Sequence, residues 1–164
     1  MAKVAVIMGS ISDLDVVRPA IDVLRKFDVE VEARVISAHR TPDLAHQFAS
    51  EAIANGIEVI ICAAGKAAHL GGVIAAFTPL PVIGLPVKSS MMDGLDSLLS
   101  MVQMPAGIPV ACVAVNGGQN AGLLAVQILA VKYPDLMTRM QQYKADLATK
   151  INQDDQKLQK ELGL

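Results

Sequence analysis

The sequence predicts an α/β protein built on a doubly wound parallel sheet. Three observations carry that prediction. Short β-rich runs alternate with helical patterns along the chain. Several runs are near-continuous in Val, Ile and Ala, as expected of strands covered on both faces. Polar segments follow some of these runs directly, where right-handed crossovers would leave the sheet. In such a sheet the carboxyl ends of the strands face one crevice, and ligands bind there.

The elements follow in chain order. Lys3 to Met8 is the first strand, and Gly9-Ser10-Ile11-Ser12-Asp13 leads from it into a helix over Asp13–Phe27. Pro19 falls inside that helix, so the helix either kinks or begins later. Glu30 to Ile36 is the second strand. Thr41 before Pro42 reads as an N-cap with proline at the first helical position. The helix it starts runs to Asn55, where Asn55-Gly56 is a stop signal. Glu58 to Ala63 is the third strand, followed by a helix over Ala67–Ala76. From Ala67 to Val87 only His69 and Thr78 are clearly polar, and the stretch is long enough to span a bilayer. Its Pro79, Pro81 and Pro86, with Gly71, Gly72 and Gly84, divide it instead into a buried helix, a turn and a buried strand at Val82–Leu85. A helix over Gly94–Met101, a strand over Val110–Val115 and a helix over Asn120–Lys132 complete one domain at 1–133. Beyond Pro134, Leu136, Met140, Leu147, Ile151 and Leu158 form one apolar stripe among charged and Gln residues. That pattern predicts a long amphipathic helix over 134–164, lying on its own domain or across a neighbouring subunit.

Composition bounds the function. A chain of 164 residues forms one domain and buries about 70% of its unfolded surface. Apolar residues make up 52% and charged ones 18%, against about 25% charged in an average soluble domain. So much apolar surface exceeds what one small core hides, which predicts association with further copies. The net charge of −2 leaves no basic footprint for nucleic acid, and no polybasic segment suits an anionic membrane. Cys62 and Cys112 lie in apolar, β-like runs without Cys-x-x-Cys spacing. Buried, reduced thiols of a cytoplasmic protein are expected. A secretory leader is not expected, because the apolar run after Lys3 is short and soon turns polar.

Three segments carry candidate chemistry. In the first, a Gly turn at a helix start offers free N–H groups and the positive dipole end to a phosphate. Ser10 and Ser12 add hydroxyls, and Asp13 suits ribose hydroxyls; Ser12 or Asp13 also suits a plain helix cap. In the second, Ser37-Ala38-His39-Arg40-Thr41-Pro42, Arg40 presents a fork that matches phosphate oxygens. His39 can exchange a proton near neutrality. The third runs from Ala63 through Ala64, Gly65, Lys66, Ala67, Ala68, His69 and Leu70 to Gly72. Its small residues let the backbone approach a ligand, Lys66 brings charge, and His69 can orient loop or ligand; a purely structural turn fits as well. His46 reads as a surface residue, and Asn116 to Asn120 as a further crevice loop or a cap. No Gly-x-Gly-x-x-Gly or Walker loop follows the first strand. Metal-ligand spacing and a Gly-x-Ser-x-Gly elbow are also missing. Cofactor-free acid–base chemistry is the expectation.

Four ordered segments resemble one family: Met8-Gly9-Ser10-x-Ser12-Asp13, Ser37 to Pro42, Ala67-Ala68-His69-Leu70, and Ser100-Met101-Val102-Gln103-Met104-Pro105-x-Gly107-Ile108-Pro109-Val110. The chain resembles the N5-carboxyaminoimidazole ribonucleotide mutases of purine biosynthesis from Val4 to about Tyr133. The resemblance implies a flavodoxin-like three-layer sandwich assembled as an octamer. It implies interconversion of N5-carboxyaminoimidazole ribonucleotide and 4-carboxy-5-aminoimidazole ribonucleotide with neither ATP nor metal. It makes His39 the acid/base and gives Ser10, Asp13 and Arg40 to the ribonucleotide, with Ser12 and Ser37 assisting. Ala64, Gly65, Lys66, Ala67, His69 and Leu70 would line the carboxylate end. The family usually has Gly where Lys66 stands and Pro where Gly71 stands. Direct carboxylation of aminoimidazole ribonucleotide by free CO2 is the alternative on the same site. An FMN-binding module is a more distant one, opposed by the absence of Trp and by Tyr only at 133 and 143.

Overall fold

Alternation along the central strands builds two cores at once. Val4, Val6 and Met8 of the first strand face one side of the sheet, and Ala5 and Ile7 face the other. Val59, Ile61 and Ala63 of the third strand join the first set, and Ile60, Cys62 and Ala64 the second. The computed structural model describes residues 1–164. Its strands are β1 (Lys3–Met8), β2 (Glu30–Val35), β3 (Val59–Gly65), β4 (Val82–Val87) and β5 (Ala111–Cys112). All pairings are parallel, in the order β2-β1-β3-β4-β5. The chain winds outward from β1 to β2, then returns past β1 to β3 and onward. This is the flavodoxin-like order, with its switch point between β1 and β3.

The helices are α1 (Leu14–Lys26), α2 (Pro42–Glu51), α3 (Leu70–Phe77), α4 (Leu95–Val102), α5 (Gly118–Ala130) and α6 (Pro134–Leu162). Helices α1, α5 and the start of α6 cover the first core, with Val17, Leu24, Ala121, Ala125 and Leu136 buried against it. Helices α2, α3 and α4 cover the second through Phe48, Ile74 and Met101. Fully burying a side chain such as Leu24 or Ile74 contributes about 1.5–3 kcal/mol. With almost no aromatics to fill gaps, helices must approach closely. A Cβ at Gly118 would collide with the Val16 carbonyl oxygen of α1, and one at Gly122 would stand 2.8 Å from the Ala20 carbonyl oxygen.

Several boundaries differ from the sequence expectation. Strands β3 and β4 run two residues further, to Gly65 and Val87, because the ladder continues through Ala64↔Pro86 and Gly65↔Val87. Strand β5 shrinks to Ala111–Cys112, because it is an edge with β4 as its one partner. Pro109 brings no donor to it, and after Val113 the chain turns, Gly117 N–H donating to the Ala114 carbonyl at 2.9 Å. Cys112 on that edge is half-buried rather than buried, whereas Cys62 is enclosed; burial pushes both thiols up. Helix α1 starts at Leu14, after a 3-10 turn at Ile11–Asp13, and keeps Pro19 inside it. Helix α2 ends at Glu51, and its last turn loosens toward Gly56 at φ 76°.

Helix α6 divides the two expectations for the tail. Leu136 and Met140 are buried against α5, and Tyr143 meets Phe27 edge-on at 6.0 Å. Leu147, Ile151 and Leu158 are 48%, 66% and 51% exposed. The helix therefore covers its own domain at first and then projects beyond it. The apolar 67–87 stretch folds as α3, a turn and β4, and no helix is long and apolar enough to cross a membrane.

Candidate functional site

Register sets the site. Met8 pairs with Val35 on one side and Ala63 on the other, and Gly65 pairs with Val87. The ends of β1 and β2 are therefore level with each other, those of β3 and β4 stand two residues further out, and the loops leaving all four surround a cleft of about 610 Å³ at the switch point.

The first loop is self-bonded. Ser10 is extended (φ −152°), and its hydroxyl accepts the Ser12 N–H at 3.3 Å. The Ser12 hydroxyl lies 2.9 Å from Ser10 Oγ and 3.3 Å from Asp13 Oδ1, so its single proton serves one of them. Ser10, not Ser12 or Asp13, is the side-chain cap here. Burial raises the Asp13 carboxyl above the usual carboxylate range, partly opposed by Ser12, the Ser10 backbone and the Arg40 charge.

The second loop is closed by Thr41. Its hydroxyl accepts the Ser37 N–H and donates to the Ser37 carbonyl, both at 3.0 Å, rather than capping α2. Arg40 donates from its backbone N–H and from Nε to Ser37 Oγ at 3.2 Å, and from Nη2 to the Gly9 carbonyl at 2.7 Å. One guanidinium thus joins the first two loops. His39 turns the other way: its Nε2 stands 3.0 Å from His69 Nδ1, with the rings edge-to-face. One of those nitrogens must carry the proton and the other accept it, so each ring sets the tautomer of its neighbour.

The third loop brings Ala64, Gly65, Lys66, Ala67 and Leu70 to the cleft wall, while Ala68 is buried beneath. At Gly65 the backbone runs so close to β4 that an added Cβ would stand 3.3 Å from the Val87 carbonyl oxygen. Lys66 adopts a left-handed conformation, φ 57°. His69, ahead of α3, does not line the cleft itself and reaches it through His39. Ser10, Ser12, Asp13, Ser37, His39 and Arg40 all line the cleft.

A fourth loop, Lys88 to Ser90 after the end of β4, also lines the cleft, and the sequence pattern alone does not mark it. Its Lys88 N–H donates to Asn116 Oδ1 at 2.9 Å, and Ser89 Oγ donates to Asp96 Oδ2 at 2.9 Å. Lys-Ser-Ser after an apolar run was the available signal, obscured because Pro86 suggests a strand end. The Asn116 segment supports this loop and does not line the cleft. His46 is exposed on α2, with its ring 4.5 Å from that of Phe77. No group of three His, Cys, Asp or Glu side chains converges in the structure.

The family model described as AIR carboxylase matches residues 3–150. The chain belongs to the AIR carboxylase family. The N5-carboxyaminoimidazole ribonucleotide mutase of Pyrococcus abyssi is 56% identical over 147 residues, covering 90% of this chain and 84% of that one. The mutase of Thermotoga maritima is 49% identical over 159 residues, covering 97% and 93%. Among solved structures, Treponema denticola PurE superposes with a TM-score of 0.89 at 30% identity, over 96% of this chain and 99% of that one. The AIR carboxylase match thus spans all four strand-end loops of the cleft.

Proposed function

We propose that this chain is an N5-carboxyaminoimidazole ribonucleotide mutase, moving the carboxylate to the 4 position of the imidazole. One observation carries the geometry of that reading. His39 and Arg40 are adjacent, yet their side chains part, Arg40 to the first loop and His39 to the third. A single ligand can therefore be held by its phosphate at one end and protonated at the other. Arg40, with the Ser10 and Ser12 hydroxyls and the helix start, anchors the phosphate and ribose; Asp13 accepts from ribose hydroxyls, and Ser37 fixes the guanidinium. Ala64, Gly65, Ala67 and Leu70 form the close wall over the imidazole.

Protonated His39 delivers its proton to N5, the N–C bond of the carbamate breaks, and CO2 is released inside the cleft. The electron-rich C4 of the aminoimidazole attacks that CO2. Neutral His39 then takes the C4 proton, which restores aromaticity and returns the histidine to its starting state. His69 holds the His39 ring through both transfers. Keeping CO2 beside its nucleophile is a proximity effect worth about 7–11 kcal/mol at good geometry. Phosphate binding far from the reacting carbon supplies the energy of positioning. Conversion of the N5-carboxylated ribonucleotide in buffer without ATP or bicarbonate tests the reading; no conversion would overturn it.

The enzyme works as a homo-oligomer, an octamer, in a reducing cytoplasm. Support comes from Met91, Met92, Leu95, Leu99 and Val102, all more than 40% exposed on and before α4, and from the exposed stripe of α6. Apolar patches of that extent mark interfaces. The C-terminal helix over 134–164 lies at those subunit contacts.

A further inference from the structure

Lys66 is out of type for its backbone. The non-glycine residues with positive φ are Asp28, Lys66, Asp93 and Asn116. Asp and Asn tolerate the left-handed region, because their short side chains bond locally. Lysine has no such compensation, so the conformation is held there by its surroundings. Those surroundings are the level ends of β3 and β4, where the Gly65 backbone runs close against the Val87 carbonyl.

Lys66 is also the uncommitted cation of the cleft. Arg40 spends donors on Gly9 and Ser37, and Lys88 pairs with Asp93 at 3.1 Å. Lys66 makes no ion pair or side-chain hydrogen bond, although it lines the cleft. Asp13 is the one carboxylate in the lining, on the first loop beside Arg40. The lining therefore carries a surplus positive charge, three residues before the histidine that touches His39.

We propose that Lys66 is a specificity-determining residue that binds the migrating carboxylate, making this enzyme prefer carboxylated over decarboxylated ribonucleotide by charge. The inference rests on the mutase reading. An ammonium on this loop reaches the end of the ligand where carboxylate arrives and departs, while Arg40 holds the phosphate. Uncarboxylated aminoimidazole ribonucleotide offers Lys66 nothing to hold.

The test compares dissociation constants of 4-carboxy-5-aminoimidazole ribonucleotide and aminoimidazole ribonucleotide, by calorimetry, for wild type, Lys66→Arg, Lys66→Met and Lys66→Gly. Lys66→Met keeps the strained backbone without the charge, and Lys66→Gly removes both. Both should weaken the carboxylated ligand about fivefold, the weight of a largely solvated ion pair, and leave the other within about twofold. Lys66→Arg should stay near wild type for both ligands. Kinetically, the loss should appear in KM more than in kcat. Equal losses for the two ligands, or none for either, would overturn the role of Lys66 while the mutase reading stands. Wild-type protein that bound neither ribonucleotide would overturn that reading and this inference with it.

Discussion

Replacing Arg40 with alanine removes the group that joins the first two loops and that the proposed reading gives to the phosphate. Two of its five N–H donors are engaged, Nε with Ser37 and Nη2 with the Gly9 carbonyl, which leaves three for a phosphate. A charge-assisted phosphate contact is worth about 1.5–3 kcal/mol. Because Arg40 is exposed, the lower end applies, and about 1.5 kcal/mol is roughly a tenfold loss of affinity. The protein's own two bonds are also exposed, so their loss should cost the fold less than about 1 kcal/mol. Calorimetry separates the effects with two ligands, aminoimidazole ribonucleotide and the corresponding ribonucleoside without its phosphate. Arg40→Ala should weaken the first about tenfold and leave the second nearly unchanged. Equal weakening of both would place the phosphate elsewhere and refute the division of labour between Arg40 and His39.

Three further outcomes are expected. His39→Asn should fold and bind ribonucleotide, but turnover should fall by about 10²–10⁴, the usual weight of a proton-transferring side chain; near-normal steady-state rates would contradict the assignment. Gly118→Ala drives a Cβ into the Val16 carbonyl, where backbone cannot yield cheaply, whereas Gly72→Ala meets only the Met104 methyl end at 2.9 Å. Thermal melts should show the first lowered by about 3–9 °C and the second little changed. Deleting 145–164, which are exposed throughout, should leave the far-UV spectrum of the sheet intact while sedimentation shows a lighter assembly.

Physical periodicity explains what was legible. The interior strands β1 and β3 follow from continuous Val/Ile/Ala runs, because both faces of each are buried. Strand ends depend on neighbours instead. Pro86 reads as a terminator, yet sits within β4 opposite Ala64, and Val110–Val115 reads as a full strand although the edge sustains two residues. Ending β4 at Pro86 hides the fourth loop of the cleft, which leaves the strand after Val87. Ser10, Ser12, Asp13, Ser37, His39 and Arg40 were legible because each segment follows a strand directly. The contact between His39 and His69 spans 30 residues and arises from the placement of β1 between β2 and β3, which no local pattern encodes. The left-handed turn at Lys66 is likewise a product of tertiary packing rather than propensity. The tail's stripe was plain, but where α6 leaves its own domain depends on the length of α5 beneath it.

Intramolecular transfer is the central claim, and an isotope experiment tests it most directly. N5-carboxyaminoimidazole ribonucleotide labelled with ¹³C in its carboxylate is incubated with the enzyme in excess unlabelled bicarbonate, without ATP, and the product is read by mass spectrometry. CO2 held within the cleft between the His39 proton transfers predicts that the 4-carboxy product retains the label. Product carrying mostly unlabelled carboxylate would show capture of free CO2 from solution, and would contradict the mutase account.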